Sequence, residues 1–338
     1  MNCLKVFVIA VICFVFLYSC QKKKDLKDVD FRAEMIQFVK GISVYAKSVN
    51  PDFIIIPQNG EALFADNSYV AVIDGIGKED LNYGYDNDGV ETSSGVKSEI
   101  MSFLDIAVSN GKFVLVTDYV FEDSEDNPHF DGGTVSKINN SYVSCRNKSY
   151  IPYCTVRNLN YLTVNPGYEP VEDSIHLLND VKEFLYYLQP PESISRQTYI
   201  SSIANSDFDM VIMDMTVDGT VDFTKEEILQ IKNGLNQGKG GYVIAYMSIG
   251  EAEDYRFYWN KDWAGSGGRI KNNAPDWLYK ENPDWKGNYK VLYWKSEWKD
   301  IIYGNSNAYL DKIMALGFDG VYMDIIDGFE YFEDIMGY

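Results

Sequence analysis

The sequence predicts an α/β fold of the (β/α)8 TIM-barrel class, in one domain, and three observations support this prediction. Eight apolar, β-branched runs recur along the chain, several of them almost continuously apolar, as strands buried on both faces are. Helical patterns separate most of these runs, and such alternation indicates parallel strands joined by crossover helices. Polar side chains close seven of the eight runs. An open parallel sheet is the alternative that the same pattern allows.

The predicted strands have clear boundaries in the sequence. They are DFIIIPQNG (52–60), VAVIDGIG (70–77), KFVLVTDYV (112–120), SYIPYCTV (149–156), EFLYYLQ (183–189), DMVIMDMT (209–216), GYVIAYMSIG (241–250) and DGVYMDIID (319–327). Helical periodicity covers 32–48, 95–112, 224–239 and 305–318. Two of these helical segments close with Asn-Gly or Leu-Gly before the next strand, which is a favourable helix stop.

The N-terminal segment indicates export. MNCLKVFVIAVICFVFLYSC (1–20) has one lysine followed by an apolar core that is shorter than a membrane-spanning helix. Ser19 before Cys20 resembles a lipobox, so we expect a lipoprotein signal peptide over 1–20, lipidation of Cys20 and a polar tether over 21–29. An uncleaved anchor helix is the alternative. Either way we expect a protein held at a membrane of the bacterial cell envelope, facing the periplasm or the outside.

Composition excludes some partners and leaves others open. The net charge of −20 argues against nucleic acid, whose phosphates require Lys and Arg. Cys145 and Cys154 are the cysteines left in the predicted mature chain, and the oxidising setting leaves open a disulfide between them. With two histidines in the whole chain, no His cluster supports metal binding by these cysteines. We expect a monomer.

Polar groups at the carboxyl ends of barrel strands converge on one face, where such barrels place their chemistry. The sequence puts a set of amides and acids at the ends of its predicted strands, although a single acid there could merely cap the next helix. The candidates for this shared site are Gln58, Asn59, Asp74, Glu79, Asp118, Asp214 and Asp324.

Three long motifs carry a family resemblance: VIAYMSIGEAEDYRFYW (243–259), ENPDWKGNYKVLYWKSEWKDIIYG (281–304) and LGFDGVYMDIIDGFEYFED (316–334). They resemble glycoside hydrolase family 114, the endo-α-1,4-polygalactosaminidases, a barrel family formerly labelled cysteinyl-tRNA-synthetase-related. The first half, through IIIPQNGE (54–61) and AVIDGIGKEDLNYG (71–84), resembles the later strands of the same family.

The order of the two halves indicates a circular permutation. Residues 183–338 resemble the front half of the family and 30–170 its back half, within one barrel domain over 30–338. A closed ring of strands keeps every neighbour wherever the chain is cut, so such a permutation is physically allowed. Two tandem half-domains with separate cores are the alternative, and a large separation between residues 30 and 338 would exclude the permutation.

Glycoside hydrolysis requires two carboxyl groups, one that protonates the leaving oxygen and one that attacks the anomeric carbon or activates water. The resemblance implies Asp324 as the nucleophile or charge-stabilising group and Glu79 as the acid/base, with Asp74 as the competitor of Glu79. It departs from the family at Tyr322, where many members carry glutamate. It implies substrate contacts by Asp214, Tyr246, Glu253 and Arg256, although Arg256 could simply pair with Glu253 and Asp214 could be structural. It implies no cofactor and no metal.

The sequence therefore predicts a cell-envelope lipoprotein glycoside hydrolase that acts inside a polysaccharide, in which amino sugars such as galactosamine are a candidate component. The alternative is a barrel that has lost catalysis and only binds glycan. A structural envelope protein, the third class, predicts no open polar cleft. Some of the tryptophans Trp259, Trp285, Trp294 and Trp298 are candidates for stacking on sugar rings, and at least two are expected to pack their own loop.

Overall fold

The computed structural model describes residues 26–122, 128–167, 177–217 and 219–338. Each apolar run of the sequence forms one parallel strand. The first seven are β1 Ile54–Pro57, β2 Gly75–Glu79, β3 Phe113–Tyr119, β4 Ile151–Thr155, β5 Phe184–Tyr186, β6 Met210–Met213 and β7 Tyr242–Ser248. Three short antiparallel strands follow, β8 Glu251–Glu253, β9 Leu278–Glu281 and β10 Asn288–Val291, and the last parallel strand is β11 Gly320–Asp324. The prediction of an α/β fold with parallel strands is confirmed.

Helices lie between most of the strands. They are α1 Phe31–Val49, α2 Asn67–Val70, α3 Ser94–Ser109, α4 Gly132–Arg146, α5 Arg196–Ala204, α6 Lys225–Gly238, α7 Ser296–Ile302, α8 Tyr309–Leu316 and α9 Gly328–Met336. Side-chain caps fix several helix starts. Asp30 accepts a hydrogen bond of 3.0 Å from the backbone of Ala33, and Thr224 with Glu227 forms a reciprocal capping box at α6. The four predicted helical segments correspond to α1, α3, α6 and α8.

The parallel strands form two sheets, ordered β1-β11-β7-β6-β5 and β2-β3-β4. A parallel bridge between Gln58 and Gly77 connects β1 to β2. At the other junction the rings of Tyr153 on β4 and Phe184 on β5 lie 5.5 Å apart, but in the described part of the chain no backbone ladder joins these two strands. The ladders therefore show two parallel sheets and no continuous closed ring.

The two halves of the chain share one core. β1 pairs with β11 in register from Ile54 opposite Gly320 to Pro57 opposite Met323, although these strands come from opposite halves. The main hydrophobic cluster likewise contains side chains of α1 and β3 together with side chains of β6, β7 and β11. This shared sheet and core contradict the alternative of two half-domains with separate cores.

The beginning of α1 lies against the end of α9. Arg32 donates two hydrogen bonds to Glu333, at 2.7 and 2.9 Å, and the ring of Phe31 lies 5.5 Å from that of Phe332 and 6.4 Å from that of Tyr338. Residues 31 and 338 are therefore neighbours in space.

Strand β2 begins later than the sequence suggests. The apolar residues at 70–73 lie before it, and β2 instead includes Gly75 and Gly77, which are poor strand formers. Long-range packing explains the difference. A side chain at Gly75 would overlap the ring of Phe113, and one at Gly77 would overlap the hydroxyl of Tyr322, so neighbouring aromatic side chains fill the space above both glycines.

Cys145 on α4 and Cys154 on β4 are both free and buried, so the disulfide that the sequence left open is not formed. The Cys145 thiol instead accepts a hydrogen bond of 3.4 Å from the Asn82 side chain, and burial raises the pKa of both thiols. Cys20 and the predicted signal peptide lie outside the described residues. Within those residues, every helix is too short or too polar to cross a bilayer.

Candidate active site

A cleft of about 630 Å³ opens at the carboxyl ends of the parallel strands. All eight strands, or the residues directly after them, contribute to its wall. Gln58 and Asn59 follow β1, Glu79 ends β2, Tyr119 ends β3 and Asp324 ends β11. Parallel strands present their carboxyl ends at one edge, which explains why residues so distant in sequence meet here. An open polar cleft of this kind is the feature that a purely structural envelope protein would lack.

Asp324 lies in the wall of this cleft with both carboxyl oxygens occupied. Oδ2 accepts a hydrogen bond of 2.6 Å from the Tyr246 hydroxyl, and Oδ1 accepts one of 2.8 Å from the backbone N–H of Ile325. Burial is the largest cause that raises the pKa of Asp324 well above its usual range, and the negative charge of Glu79 is the second. Asp324 and Glu79 are thus electrostatically coupled within one cleft.

Glu79 is held by groups from the two neighbouring strands. The Tyr119 hydroxyl donates a short hydrogen bond to Glu79 Oε1, and the Asn59 side-chain oxygen accepts one of 3.2 Å from the Glu79 backbone. The Arg157 guanidinium lies 4.1 Å from the centre of the Tyr119 ring and pairs with Asp80 at 3.1 Å. Arg157 and Tyr119 therefore support the side of the cleft that carries Glu79.

A buried ion triad forms the opposite side. Arg256 donates to both oxygens of Asp214 at 2.8 and 2.7 Å, and its Nε donates to Glu253 at 2.6 Å. The Tyr255 hydroxyl donates a hydrogen bond of 2.5 Å to the other carboxyl oxygen of Glu253. The guanidinium is almost completely buried, so one cation holds two carboxylates in fixed orientations and leaves them few free lone pairs.

Three non-glycine residues with left-handed backbone conformations stand directly after or close to the ends of three adjacent strands. They are Asn59 with φ 56° after β1, Asp80 with φ 63° after β2 and Ile325 with φ 59° after β11. Such a conformation is unfavourable for a β-branched residue, and backbone strain of this kind clusters at functional sites. The strained positions flank Glu79 and Asp324.

Residues 186–336 match the family model of glycoside-hydrolase family GH114. The family resemblance carried by the sequence motifs is therefore confirmed over this segment. The GH114 segment contains Asp214, Tyr246, Glu253, Arg256 and Asp324, whereas Glu79 lies outside it.

Curated relatives align with part of the chain. An uncharacterized protein of Methanocaldococcus jannaschii is 47% identical over 137 residues, which are 40% of this chain and 35% of the relative. Uncharacterized proteins of Thermotoga maritima and Deinococcus radiodurans are each 38% identical, over 44% and 42% of this chain and 39% and 40% of their own lengths. The chain thus spans two fifths or less of the curated relatives it matches.

Most predicted site residues meet at this cleft. Its wall contains Gln58, Asn59, Glu79, Asp214, Tyr246, Glu253 and Asp324. Arg256 stands behind the wall, where it pairs with Glu253, as one sequence interpretation held, and also with Asp214. In the described residues, no group of three His, Cys, Asp or Glu side chains has the arrangement of a metal site.

Asp74 does not reach the cleft, and its prediction as a binding residue and competitor of Glu79 is wrong. It precedes β2 and therefore lies at the amino end of that strand. Its carboxylate pairs with Lys47 at 2.8 Å and accepts a hydrogen bond of 2.8 Å from the backbone of Ile55. These contacts give Asp74 a structural role below the strands.

The prediction that Asp118 belongs to the shared site is also wrong. It is completely buried and accepts hydrogen bonds from the backbone of Asn82 and Tyr83, from the Asn82 side chain and from the Ser141 hydroxyl. Because side chains alternate along a strand, Asp118 points away from the cleft when Tyr119 points into it. Asp118 therefore anchors the loop after β2 against α4.

The sequence reasoning missed several cleft residues. Arg157 stands two residues after the end of β4, so the rule that selected polar residues at strand ends could have found it. Asp327, which closes the eighth predicted strand, also lines the cleft, and burial followed by the charge of Glu330 raises its pKa to about 7. Tyr255 lies at the cleft with 43% of its surface exposed, and no local pattern marks it.

The other tryptophans pack within the protein. Trp298 is fully buried and donates to the carbonyl oxygen of Ile249 at 2.8 Å. Trp259 stacks on Tyr289 at 4.7 Å, and Trp294 lies 5.0 Å from the ring of Phe332. Among the four candidates, only Trp285 lines the cleft.

Proposed function

We propose that this protein is a glycoside hydrolase whose reacting groups are Asp324 and Glu79. The observation that carries the proposal is the pair itself: two carboxyl groups from different strands face one open cleft, and the charge of Glu79 contributes to the raised pKa of Asp324. Two carboxyl groups with different proton affinities are what glycoside hydrolysis requires. The match to GH114 supports the same conclusion.

The two carboxyl groups take different roles in the proposed reaction. We assign Asp324 the nucleophile or charge-stabilising role and Glu79 the acid/base role, in line with the family resemblance. Burial and the charge of Glu79 raise the pKa of Asp324, which favours the protonated form of this group before substrate enters. The reaction requires Asp324 as the carboxylate that faces the anomeric carbon and Glu79 as the acid that protonates the leaving oxygen.

The decisive experiment is incubation with a glycan panel that includes partly deacetylated galactosamine polymer. We expect wild type to release products, and Asp324→Asn and Glu79→Gln to lose at least about 100-fold in rate. The exposed residues Asp52 and Glu99 provide matched controls, since Asp52→Asn and Glu99→Gln make the same chemical changes away from the cleft. Absence of products from every glycan would contradict the enzyme, and saturable binding without cleavage would instead support the binding-only alternative.

Azide separates the two roles. In a retaining mechanism, azide that replaces a missing nucleophile gives a glycosyl azide of inverted configuration, and azide that attacks a glycosyl-enzyme gives the retained configuration. We expect Asp324→Ala to give the inverted azide and Glu79→Ala the retained one. The reverse result would exchange the two roles and leave the hydrolase proposal intact.

We propose further that the substrate is a polysaccharide attacked internally, with galactosamine-rich polymers as the first candidate. The open cleft, with the exposed rings of Trp285 and Tyr255 at its side, suits a chain that extends beyond the reacting sugar. Comparison of product lengths over time tests this point, because an internally cutting enzyme releases a range of oligomers before monomers accumulate.

We also propose that the eight parallel strands act as one circularly permuted (β/α)8 barrel. The Gln58–Gly77 bridge, the packing of β4 beside β5 and the contacts between α1 and α9 support this proposal. A rearranged chain in which 177–338 precedes 26–167, joined from Tyr338 to Leu26, tests it. We expect the rearranged protein to fold and to unfold cooperatively, whereas failure to fold would argue against the permutation.

Finally, we propose a monomeric lipoprotein of the bacterial cell envelope that is anchored through Cys20. Incorporation of a labelled fatty acid into wild type, and its loss in Cys20→Ala, is the expected result. Labelling that persists in Cys20→Ala would place the lipid elsewhere.

A further inference from the structure

Tyr322 carries a buried hydroxyl that has no hydrogen-bond partner among the described residues. The side chain is fully buried on β11, and its ring lies 5.1 Å from that of Tyr186. An unpaired buried polar group costs about 1–3 kcal/mol of stability, so its presence calls for a specific explanation. Phenylalanine would provide the same ring without that cost.

The position of this hydroxyl is informative. Tyr322 stands two residues before Asp324 on β11, and its hydroxyl lies where a side chain of Gly77 would be, two residues before Glu79 on β2. Residues two apart on a strand point to the same face. The Tyr322 side chain therefore begins one layer beneath Asp324 on β11, and its hydroxyl ends one layer beneath Glu79 on β2. β1, which separates these two strands, is crossed by the Tyr322 ring.

We propose that the Tyr322 hydroxyl is a positioning donor for the Asp324–Glu79 pair. The inference rests on the proposed function and extends it to a residue below the cleft wall. During the proposed reaction the negative charge of the pair moves from Asp324, once it bonds to the sugar, to Glu79, once it has given its proton to the leaving oxygen. A donor beneath both carboxyls can stabilise either ionised form, directly or through one bound water.

The surroundings of Tyr322 agree with this role. Burial, then the charges of Glu79 and Asp324, raise its pKa well above the usual range, so it remains a proton donor at neutral pH. Tyr186, its neighbour, directs its own hydroxyl to Gln58 Oε1 at 3.2 Å. Of these two neighbouring tyrosines, Tyr322 is thus the one whose hydroxyl remains available to the carboxyl pair.

Tyr69 provides a matched control. Its hydroxyl is also buried and without a partner among the described residues, but it lies on α2 beside Phe64, and burial is the cause that raises its pKa. Tyr322→Phe and Tyr69→Phe therefore remove the same kind of group, one beneath the acids and one remote from the cleft. Both variants should fold, since each removes an unsatisfied polar atom from the interior.

Activity provides the first measurement. We expect Tyr322→Phe to lower kcat roughly ten- to hundred-fold with KM changed less than about twofold, because a hydrogen bond to a charged group is lost. Loss of a donor to an ionised carboxyl raises the pKa of that carboxyl, so the acid limb of the pH–rate profile should move up by about one unit. Tyr69→Phe should leave both unchanged. An unmoved pH profile in Tyr322→Phe would overturn the inference.

A second measurement does not depend on catalysis. We would measure the free energy of unfolding of wild type and of Asp324→Asn from about pH 4 to about pH 9. The difference between the two curves reports the titration of Asp324. Because its folded pKa is raised, Asp324 contributes stability at low pH that is lost as pH rises through that folded pKa. In the Tyr322→Phe background this loss should extend to higher pH. Failure of the proposed function appears as an inactive wild type, whereas failure of this inference appears as an unchanged titration.

Discussion

Removal of the Arg256 guanidinium tests whether the buried ion triad positions the cleft. The variant Arg256→Met keeps much of the side-chain volume and leaves Asp214 and Glu253 as buried carboxylates without a cation. Breaking a buried ion pair by removing one partner costs about 3–5 kcal/mol. Here two carboxylates lose the same partner, so we expect the upper part of that range at neutral pH.

Arg32 provides the matched control for this measurement. It also donates two hydrogen bonds to one carboxylate, Glu333, but its side chain is 46% exposed. An exposed pair contributes about 1 kcal/mol or less, so Arg32→Met should cost far less than Arg256→Met.

Urea unfolding of both variants and of wild type at neutral pH is the assay. Equal costs for Arg256→Met and Arg32→Met would refute the argument that burial makes this triad strong.

Three further predictions concern single residues. Trp285→Ala should raise KM up to about tenfold without a change in thermal stability, because the half-exposed ring is available to a sugar and supports little packing; an unchanged KM would exclude a stacking role. Asp327→Asn should flatten the pH dependence of unfolding, since the pKa of about 7 means that Asp327 contributes stability at low pH that is lost as pH rises through about 7; a slope equal to wild type would contradict this. Gly77→Ala should cost about 1–3 kcal/mol in urea unfolding because its Cβ overlaps the Tyr322 hydroxyl, whereas Gly95→Ala, which meets no neighbour, should not destabilise; equal stabilities would contradict the packing argument.

The parallel strands could be predicted because each is a short apolar run between turn residues, and burial on both faces makes that signal strong. The antiparallel strands β8, β9 and β10 could not. Their sequences EAE, LYKE and NYKV are short and charged, and they pair within an excursion of the chain whose stability comes from buried aromatic packing, such as Trp277 against Trp298 at 4.8 Å. Contacts between distant residues define these strands.

The boundary of β2 illustrates how one such contact changed the interpretation of the site. The sequence predicts that strand over 70–77, which leaves both Asp74 and Glu79 as candidates for the acid near its end. In the structure Phe113 and Tyr322 fill the space above Gly75 and Gly77, and the strand continues to Glu79. A shift of a few residues moved Asp74 to the opposite end of the sheet and left Glu79 as the acid at the cleft.

The wrong prediction for Asp118 has a different cause: the sequence does not show whether Asp118 or Tyr119 faces the cleft. Every residue of β3 is buried, so no alternation of apolar and polar residues reveals which side chains face the cleft. Neighbours on α4 and in the loop after β2 decide the orientation, since they supply the hydrogen bonds of Asp118. Sequence spacing alone could bring both residues to the strand end but could not separate their faces.

Backbone strain connects these local outcomes to the proposed chemistry. Asn59, Asp80 and Ile325 take left-handed conformations at the ends of three adjacent strands, and two of them, Asn59 and Ile325, hydrogen-bond to the acids. The Asn59 side chain accepts from the Glu79 backbone, and the Ile325 N–H donates to Asp324. Each strained residue costs of the order of 1–3 kcal/mol, and such strain persists where the surrounding structure holds it in place. The fold thus fixes the carboxyl pair through the main chain as well as through Tyr119 and Tyr246, so substitutions that relax this backbone should lower activity before they lower stability.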